Sequence, residues 1–369
     1  MKNKRSYIRP LFLAALLLPH VAVRSQETAL LMSPYLQAVT TNSIYVLVES
    51  SSTKPITVEY GPTATYGRKA QTESCDTTSD QTFVHNIRLS GLKPNSLYHY
   101  RAIARGAETH DATFRTAPLP GTPFRFAWMA DFRTGVLIHD SIATLVRDAD
   151  PAMSLYGGDL AIDGKYASIK GQFFRPPELA LIDHVPFFNT PGNHEKWTQN
   201  TRAFTQAPVT SSGTQEYYSF DYGDMHVLVL NNEVADDSAS AQYRFAQADL
   251  AQTKRIWKVV IAHKPAYCAG GHGEDKDMKK MSESIFVPNH VDVVFNGHSH
   301  FYQHNLVDGI HHMVLGTVGA PLYELKTASY VVKSAREYNY GIADVTPSRF
   351  HLMVYNEKGL PLDTLELNK

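Results

Sequence analysis

The chain has 369 residues, 43% of them hydrophobic and 19% charged, a globular composition with room for two domains. Its formal net charge of −1 excludes the basic excess on which polyanion-binding proteins rely, and no nucleic-acid-binding module is evident. Two cysteines, Cys75 and Cys268, are too few and too far apart for a disulfide framework, so two unpaired thiols are expected.

Residues 1–25 read as a signal peptide. Lys2, Lys4, Arg5 and Arg9 make a positive start, and Leu11–Leu18 is an apolar run too short to span a bilayer. Val23 and Ser25 suit cleavage after Ser25. Losing the leader with its five basic residues would take the net charge from −1 to −6. The expectation is an exported protein, periplasmic or secreted, with no membrane span left. The alternative is an uncleaved N-terminal anchor helix.

From Ser33 to Pro118, short runs with period-two alternation follow one another: Ser43–Ser50, Ile56–Gly61, Val84–Leu92, Ser96–Gly106 and Asp111–Pro118. Such spacing predicts an N-terminal β-sandwich of the immunoglobulin kind over residues 30–118. Leu92, Pro94, Tyr98 and Tyr100 fit a tyrosine corner, in which a Tyr hydroxyl bonds back to the chain upstream of its strand. The segment resembles a fibronectin type III module.

Ala117–Pro123 (APLPGTP) reads as a linker between domains. Over residues 123–369, apolar strand-like runs such as Phe124–Met129, Met153–Tyr156 and Trp257–Ile261 alternate with helical ones such as His139–Asp150 and Ser240–Lys254. That alternation predicts a layered α/β core. Later runs at His311–Thr317, Tyr338–Thr346 and Phe350–Gly359 read as antiparallel strands completing the sheets.

The polar residues that end these runs carry the chemistry. Asp131 and Asp159 end the first two; Asn193, His194 and Glu195 follow the third; His263 follows the fourth; His298 and His300 follow Val291–Gly297. Ligands of α/β sheets gather outside the carboxyl ends of the strands, so five strands deliver two Asp, one Asn and four His toward one region. Singly, an Asp there is more often a cap and a His more often a satisfied core group. Together, beside Gly158, Gly192 and Gly297, they point to a metal site. Carboxylate, amide and imidazole without thiolate suit Fe, Zn or Mn. Six ligands exceed the need of one tetrahedral ion. The inference is two metals roughly 3.5–4 Å apart, an arrangement that clamps attacking and leaving oxygens in phosphoryl displacement.

The ordered set Asp131, GGD with Asp159, GNHE with Asn193, His263 and GHSH with His298 and His300 resembles the calcineurin-like metallophosphoesterase superfamily. The opening MSPYLQAVTTNSIYVLV, the GDL at 158–160, HKPAY at 263–267 and GHSHFYQH resemble its purple acid phosphatase group. The resemblance implies two packed mixed β-sheets flanked by helices. It implies that Asp159 bridges two metals, that Asp131 and His300 bind the first, and that Asn193, His263 and His298 bind the second. His194 would face the substrate and stabilise the phosphoryl group or protonate the leaving alkoxide, with Glu195 orienting it. The nucleophile would be a metal-bound hydroxide attacking in line.

Two departures stand out. Arg133 stands where the superfamily often has a ligating His, and Ile162 where purple acid phosphatases have a ligating Tyr. Weaker binding at the first metal and no tyrosinate colour are expected. Arg133 has two readings: a bidentate contact to substrate phosphate, or a salt bridge to an acid such as Asp163. His272 and Glu274, in a Gly-rich loop, have two readings, residues bordering the substrate pocket or solvated loop residues, and the second is favoured. His226, His304, His311 and His312 read as structural. The resemblance favours an exported hydrolase of small phosphate monoesters. The alternatives are a phosphodiesterase or nucleotide hydrolase, and a catalytically weak surface binding protein.

Overall fold

The computed structural model describes Lys2 and residues 28–369, so the expected signal peptide lies, but for Lys2, outside the described residues. The alternating runs of the N-terminal segment form strands at Ser43–Ser50, Thr57–Gly61, Phe83–Ser90, Leu97–Ala104 and Ala112–Arg115. In Leu97–Ala104, Tyr98, Tyr100, Ala102 and Ala104 are buried while their neighbours are not, the period of a pleated strand covering a core on one face. The hydroxyl of Tyr98 accepts a hydrogen bond from the Lys93 backbone N–H at 3.0 Å, the turned-back contact expected of it. Cys75 and Cys268 are unpaired.

Ten strands make the largest sheet, in the order Pro361–Asn368, Arg349–Asn356, Asn339–Val345, Phe124–Met129, Met153–Tyr156, Phe187–Asn189, Tyr35–Gln37, Ser43–Ser50, Phe83–Ser90, Ser74–Thr77. Tyr35–Gln37 pairs parallel with Phe187–Asn189 and antiparallel with Ser43–Ser50. Backbone hydrogen bonding thus passes from the N-terminal segment into the α/β part, across the boundary expected at Ala117–Pro123. The connecting strand is three buried residues, too short for alternation to reveal. The remaining N-terminal strands form a five-stranded sheet facing the first, with Val58, Tyr100 and Phe114 packed against Ile44, Val46 and Ile87.

A seven-stranded mixed sheet runs Tyr218–Tyr222, Met225–Val229, Trp257–Ile261, Val293–Asn296, Ile310–Leu315, Tyr302–Val307, Val331–Ala335. Ile310–Leu315 is parallel to Val293–Asn296 and antiparallel only to Tyr302–Val307, so the reading of this run as simply antiparallel needs correcting. The two large sheets enclose a core in which Trp128 stacks on Phe295 with ring centroids 5.1 Å apart. Each such side chain, fully buried, contributes about 1.5–3 kcal/mol. Helices Val136–Asp148, Tyr166–Gln172 and Pro176–Ile182 pack on the outer face of the larger sheet, and Ala241–Gln252 and Lys276–Met281 on that of the smaller. Among the described residues no helix is long and apolar enough to cross a membrane.

Candidate metal centre

The parallel strands Phe124–Met129, Met153–Tyr156 and Phe187–Asn189 of one sheet, and Trp257–Ile261 and Val293–Asn296 of the other, end on one edge. Their loops are knitted together by backbone: Asp131 N–H donates to Gly158 O (3.0 Å), Phe132 N–H to Asp159 O (2.9 Å) and Gly297 N–H to His263 O (3.0 Å). Asp131, Asp159 and His298 take left-handed backbone conformations, with φ of 56°, 53° and 68°. Asp and His tolerate this region better than most residues, and such conformations cluster at functional sites. Two glycines permit the close approach. A Cβ on Gly192 would lie 2.2 Å from Asp159 Oδ1, and one on Gly297 would lie 2.4 Å from Asp131 Oδ2.

Asp131, Asp159, His263 and His300 are buried, and Asn193, His194 and His298 partly so. His263 Nδ1 faces Gly157 O at 2.7 Å, which makes that nitrogen the N–H donor and leaves Nε2 with a lone pair. Around that lone pair stand Asn193 Oδ1 at 3.0 Å, His298 Nδ1 at 3.2 Å and Asp159 Oδ1 at 3.4 Å. Among themselves these four atoms have at most one hydrogen to share, on His298 Nδ1, so acceptors face acceptors in a largely buried space. One ligand atom each from Asp131, Asp159 and His263 lies within 4.8 Å of the other two. Asp131 Oδ1 is buried and lacks a hydrogen-bond partner. Acceptors crowded without hydrogens to share fit a cation, and oxygen with imidazole suits Zn, Mn or Fe.

The electrostatics agree. Burial opposes ionisation of Asp159, yet His263, His194 and Arg133 around it hold its carboxyl below the usual range. Burial, then the neighbouring His263 and His272 rings, push His298 far below the ordinary histidine range, so its ring is neutral and keeps a lone pair. Glu195 is buried and pushed well above the usual carboxyl range, by burial first and by Asp159 second.

His300 Nδ1 donates to Pro321 O at 2.7 Å, so its Nε2 is an acceptor, 3.3 Å from Asp131 Oδ1. Between His300 and Asp159 lies Arg133. Its Nε donates to Asp159 Oδ2 at 3.2 Å, and its Nη2 lies 3.4 Å from His300 Nε2. Arg133 therefore makes the salt bridge of its second reading, but with a different acid: its partner is Asp159, whereas Asp163 pairs with Lys165 at 2.8 Å.

His194 stands at the opening. Its Nδ1 donates to Ile162 O at 2.8 Å, which leaves Nε2 facing the cluster, 3.8 Å from Asp159 Oδ2. Ile162 thus holds His194 through its backbone. Glu195 accepts from Gly192 N–H at 2.8 Å and makes no hydrogen bond to His194, against the expectation that it orients that ring.

His272 is exposed, as expected, and it also borders the cluster. Its ring stacks on His298 with centroids 4.2 Å apart, and its Nε2 lies 3.2 Å from the Tyr323 hydroxyl. Tyr323 in turn stacks on His300, 4.1 Å between centroids. Gly270 and Gly271, both at positive φ, are the signal of the fold-back that brings His272 there. Glu274 instead meets Lys279 and Tyr330. His226 lies between Asp221 and Asp249, and His304 beside His311 and Asp363, both apart from the cluster.

The model of the calcineurin-like phosphoesterase family matches residues 124–302. Purple acid phosphatase 21 of Arabidopsis thaliana is 31% identical over 267 residues, 67% of this chain and 60% of that protein. Purple acid phosphatase 22 of the same plant is 31% identical over 238 residues, 60% of this chain and 53% of that protein. The chain thus spans little more than half the length of these relatives. The solved purple acid phosphatase PPD1 of yellow lupin (Lupinus luteus) superposes with a TM-score of 0.78 over 91% of this chain and 74% of that one, at 19% identity, a likeness of fold.

Proposed function

We propose, from the match of residues 124–302 to the calcineurin-like phosphoesterase family, that the chain is a metal-dependent hydrolase of small phosphate esters, monoesters first. The observation that carries this reading is the buried group of facing acceptors, Asp159 Oδ1, Asn193 Oδ1 and His263 Nε2, beside His298. These residues would hold a metal ion, with Asp131 and His300 on the adjoining side. Such an ion supplies Lewis-acid charge to a phosphoryl oxygen and lowers the pKa of bound water.

The chain's own residues do the rest. The Ile162 carbonyl fixes the His194 ring with Nε2 toward the cluster. As an imidazolium, His194 holds a proton on that nitrogen, where a leaving alkoxide can take it. His272 and Tyr323 wall one side with aromatic faces, suited to the organic part of a small ester. The preference for monoesters is drawn from the purple acid phosphatase relatives. The basic and apolar pattern of residues 2–18 supports export. The Tyr98 contact supports a fibronectin type III-like N-terminal module.

The test is hydrolysis of p-nitrophenyl phosphate against bis(p-nitrophenyl) phosphate, with protein stripped and reloaded with Zn, Mn or Fe, and Asn193→Ala as control. Turnover of the monoester at least about tenfold above the diester, lost in the control, is the expected result. No turnover with any metal would favour a surface binding protein instead.

A further inference from the structure

We infer that the Arg133 guanidinium occupies the place of one of the two metal ions, so that the centre holds a single ion and completes its positive charge with a side chain. The inference rests on reading this cluster as a metal centre.

The Asp159 carboxylate is divided between two kinds of neighbour. Oδ1 points to the side of His263, 3.4 Å from Nε2, and accepts from His194 N–H at 3.1 Å. Oδ2 accepts from Arg133 Nε at 3.2 Å. A carboxylate can serve two cations by presenting one oxygen to each, and here Oδ2 is already given to a cation of the chain itself. The guanidinium also reaches His300 Nε2, a lone pair left free by the Pro321 contact. It therefore lies among the acceptors that a metal on the Asp131 and His300 side would need.

Arg133 is not free to swing away at no cost. Its side chain is only 9% exposed. Its carbonyl accepts from Gly135 N–H at 3.0 Å and from the Thr134 hydroxyl at 2.7 Å. A Cβ on Gly319 would lie 2.4 Å from Phe132 O, so the loop is packed closely on its other side as well.

Charge counting favours the same answer. Asp131 and Asp159 supply two negative charges against one divalent ion and one guanidinium, which leaves the site modestly positive for a phosphate. A second divalent ion beside the guanidinium would place three cations against two carboxylates in a buried space, where like charges repel strongly. An Arg fork also offers planar, directed donors to phosphate oxygens.

The experiment is metal counting on the whole protein. Stripped protein is reloaded with excess Zn, desalted and measured by mass spectrometry of metal and protein. A parallel sample reloaded with Mn is examined by electron paramagnetic resonance. The expected result is one Zn per chain and an uncoupled Mn spectrum in the wild type. In Arg133→His, which replaces the guanidinium with a ligand, a second ion and a spin-coupled pair are expected. In Arg133→Met the second ion is expected to be bound more weakly than in Arg133→His. Two tightly held ions in the wild type would overturn the inference, as would a stoichiometry unchanged in Arg133→His when its melting curve shows it folded. Neither readout needs turnover, so failure of the hydrolase reading and failure of this inference are distinguishable.

Discussion

His194 and Asp159 meet at the mouth of the cluster. His194, half-buried where His263 and His300 are fully buried, spends one ring nitrogen on the Ile162 carbonyl and turns the other toward the cluster. Its backbone N–H also donates to Asp159 Oδ1, so the ring and the carboxylate are held in register through one residue. Replacing it with alanine removes the ring and keeps that backbone bond. His194→Ala should lower kcat about 10²- to 10⁴-fold with metal content unchanged. Steady-state kinetics beside metal analysis would check this, and a loss of metal in the variant would assign His194 to the ligands instead.

At the scale of elements, each strand end places its candidate ligand because the strand is locked on both flanks. The helix Val136–Asp148, which follows the Asp131 loop, is joined to Pro176–Ile182 by His139 and Glu178, both fully buried and 3.0 Å apart, with the Tyr156 hydroxyl also donating to Glu178. On the other sheet, His226 of Met225–Val229 is held between Asp221 of the neighbouring strand and Asp249 of the helix Ala241–Gln252. Burial alone would lower its pKa, but the hydrogen bonds to Asp221 and Asp249 raise it to about 9. A pKa raised on folding contributes stability that is complete below the unfolded value, about 6.5, and is lost as pH rises through about 9. Urea unfolding should show stability falling over that window by an amount of order 3 kcal/mol, and His226→Gln should flatten the fall. An equal pH dependence in the variant would remove His226 as the cause.

Across the whole molecule, the N-terminal segment and the α/β part share hydrogen bonds and one continuous core. Besides the pairing of Tyr35–Gln37 with Phe187–Asn189, the Tyr100 hydroxyl donates to Asp183 O at 2.7 Å. Buried Glu49 accepts from the Tyr166 hydroxyl and from Lys170. Without the N-terminal strands, Phe187–Asn189 would become an open sheet edge, a template for aggregation. Calorimetry of the whole chain should therefore give one cooperative transition rather than two, with calorimetric and van't Hoff enthalpies in agreement. Two resolved transitions would show that the two parts unfold independently.

The sequence by itself determined the element types and the set of residues at the centre. Period-two runs of eight residues, such as Ser43–Ser50, encode strand and buried face together, because alternation is the strand's own geometry. Polar residues directly after apolar parallel strands encode a common edge, because such strands deliver their ends to one side. Tertiary structure decided what these signals do not carry. The three-residue strand Tyr35–Gln37 has no period to read, and only its neighbours on both sides make it the link between the two parts. The aim of a long side chain depends on what encloses it. Arg133 lies two residues from Asp131 in sequence, but its position between Asp159 and His300 is set by loops 26 and 167 residues away. His272 is brought onto His298 by a fold-back at two glycines, which spacing alone does not place. The candidate ligands are local facts of the chain, whereas the charge of Arg133 that stands among them is a fact of packing.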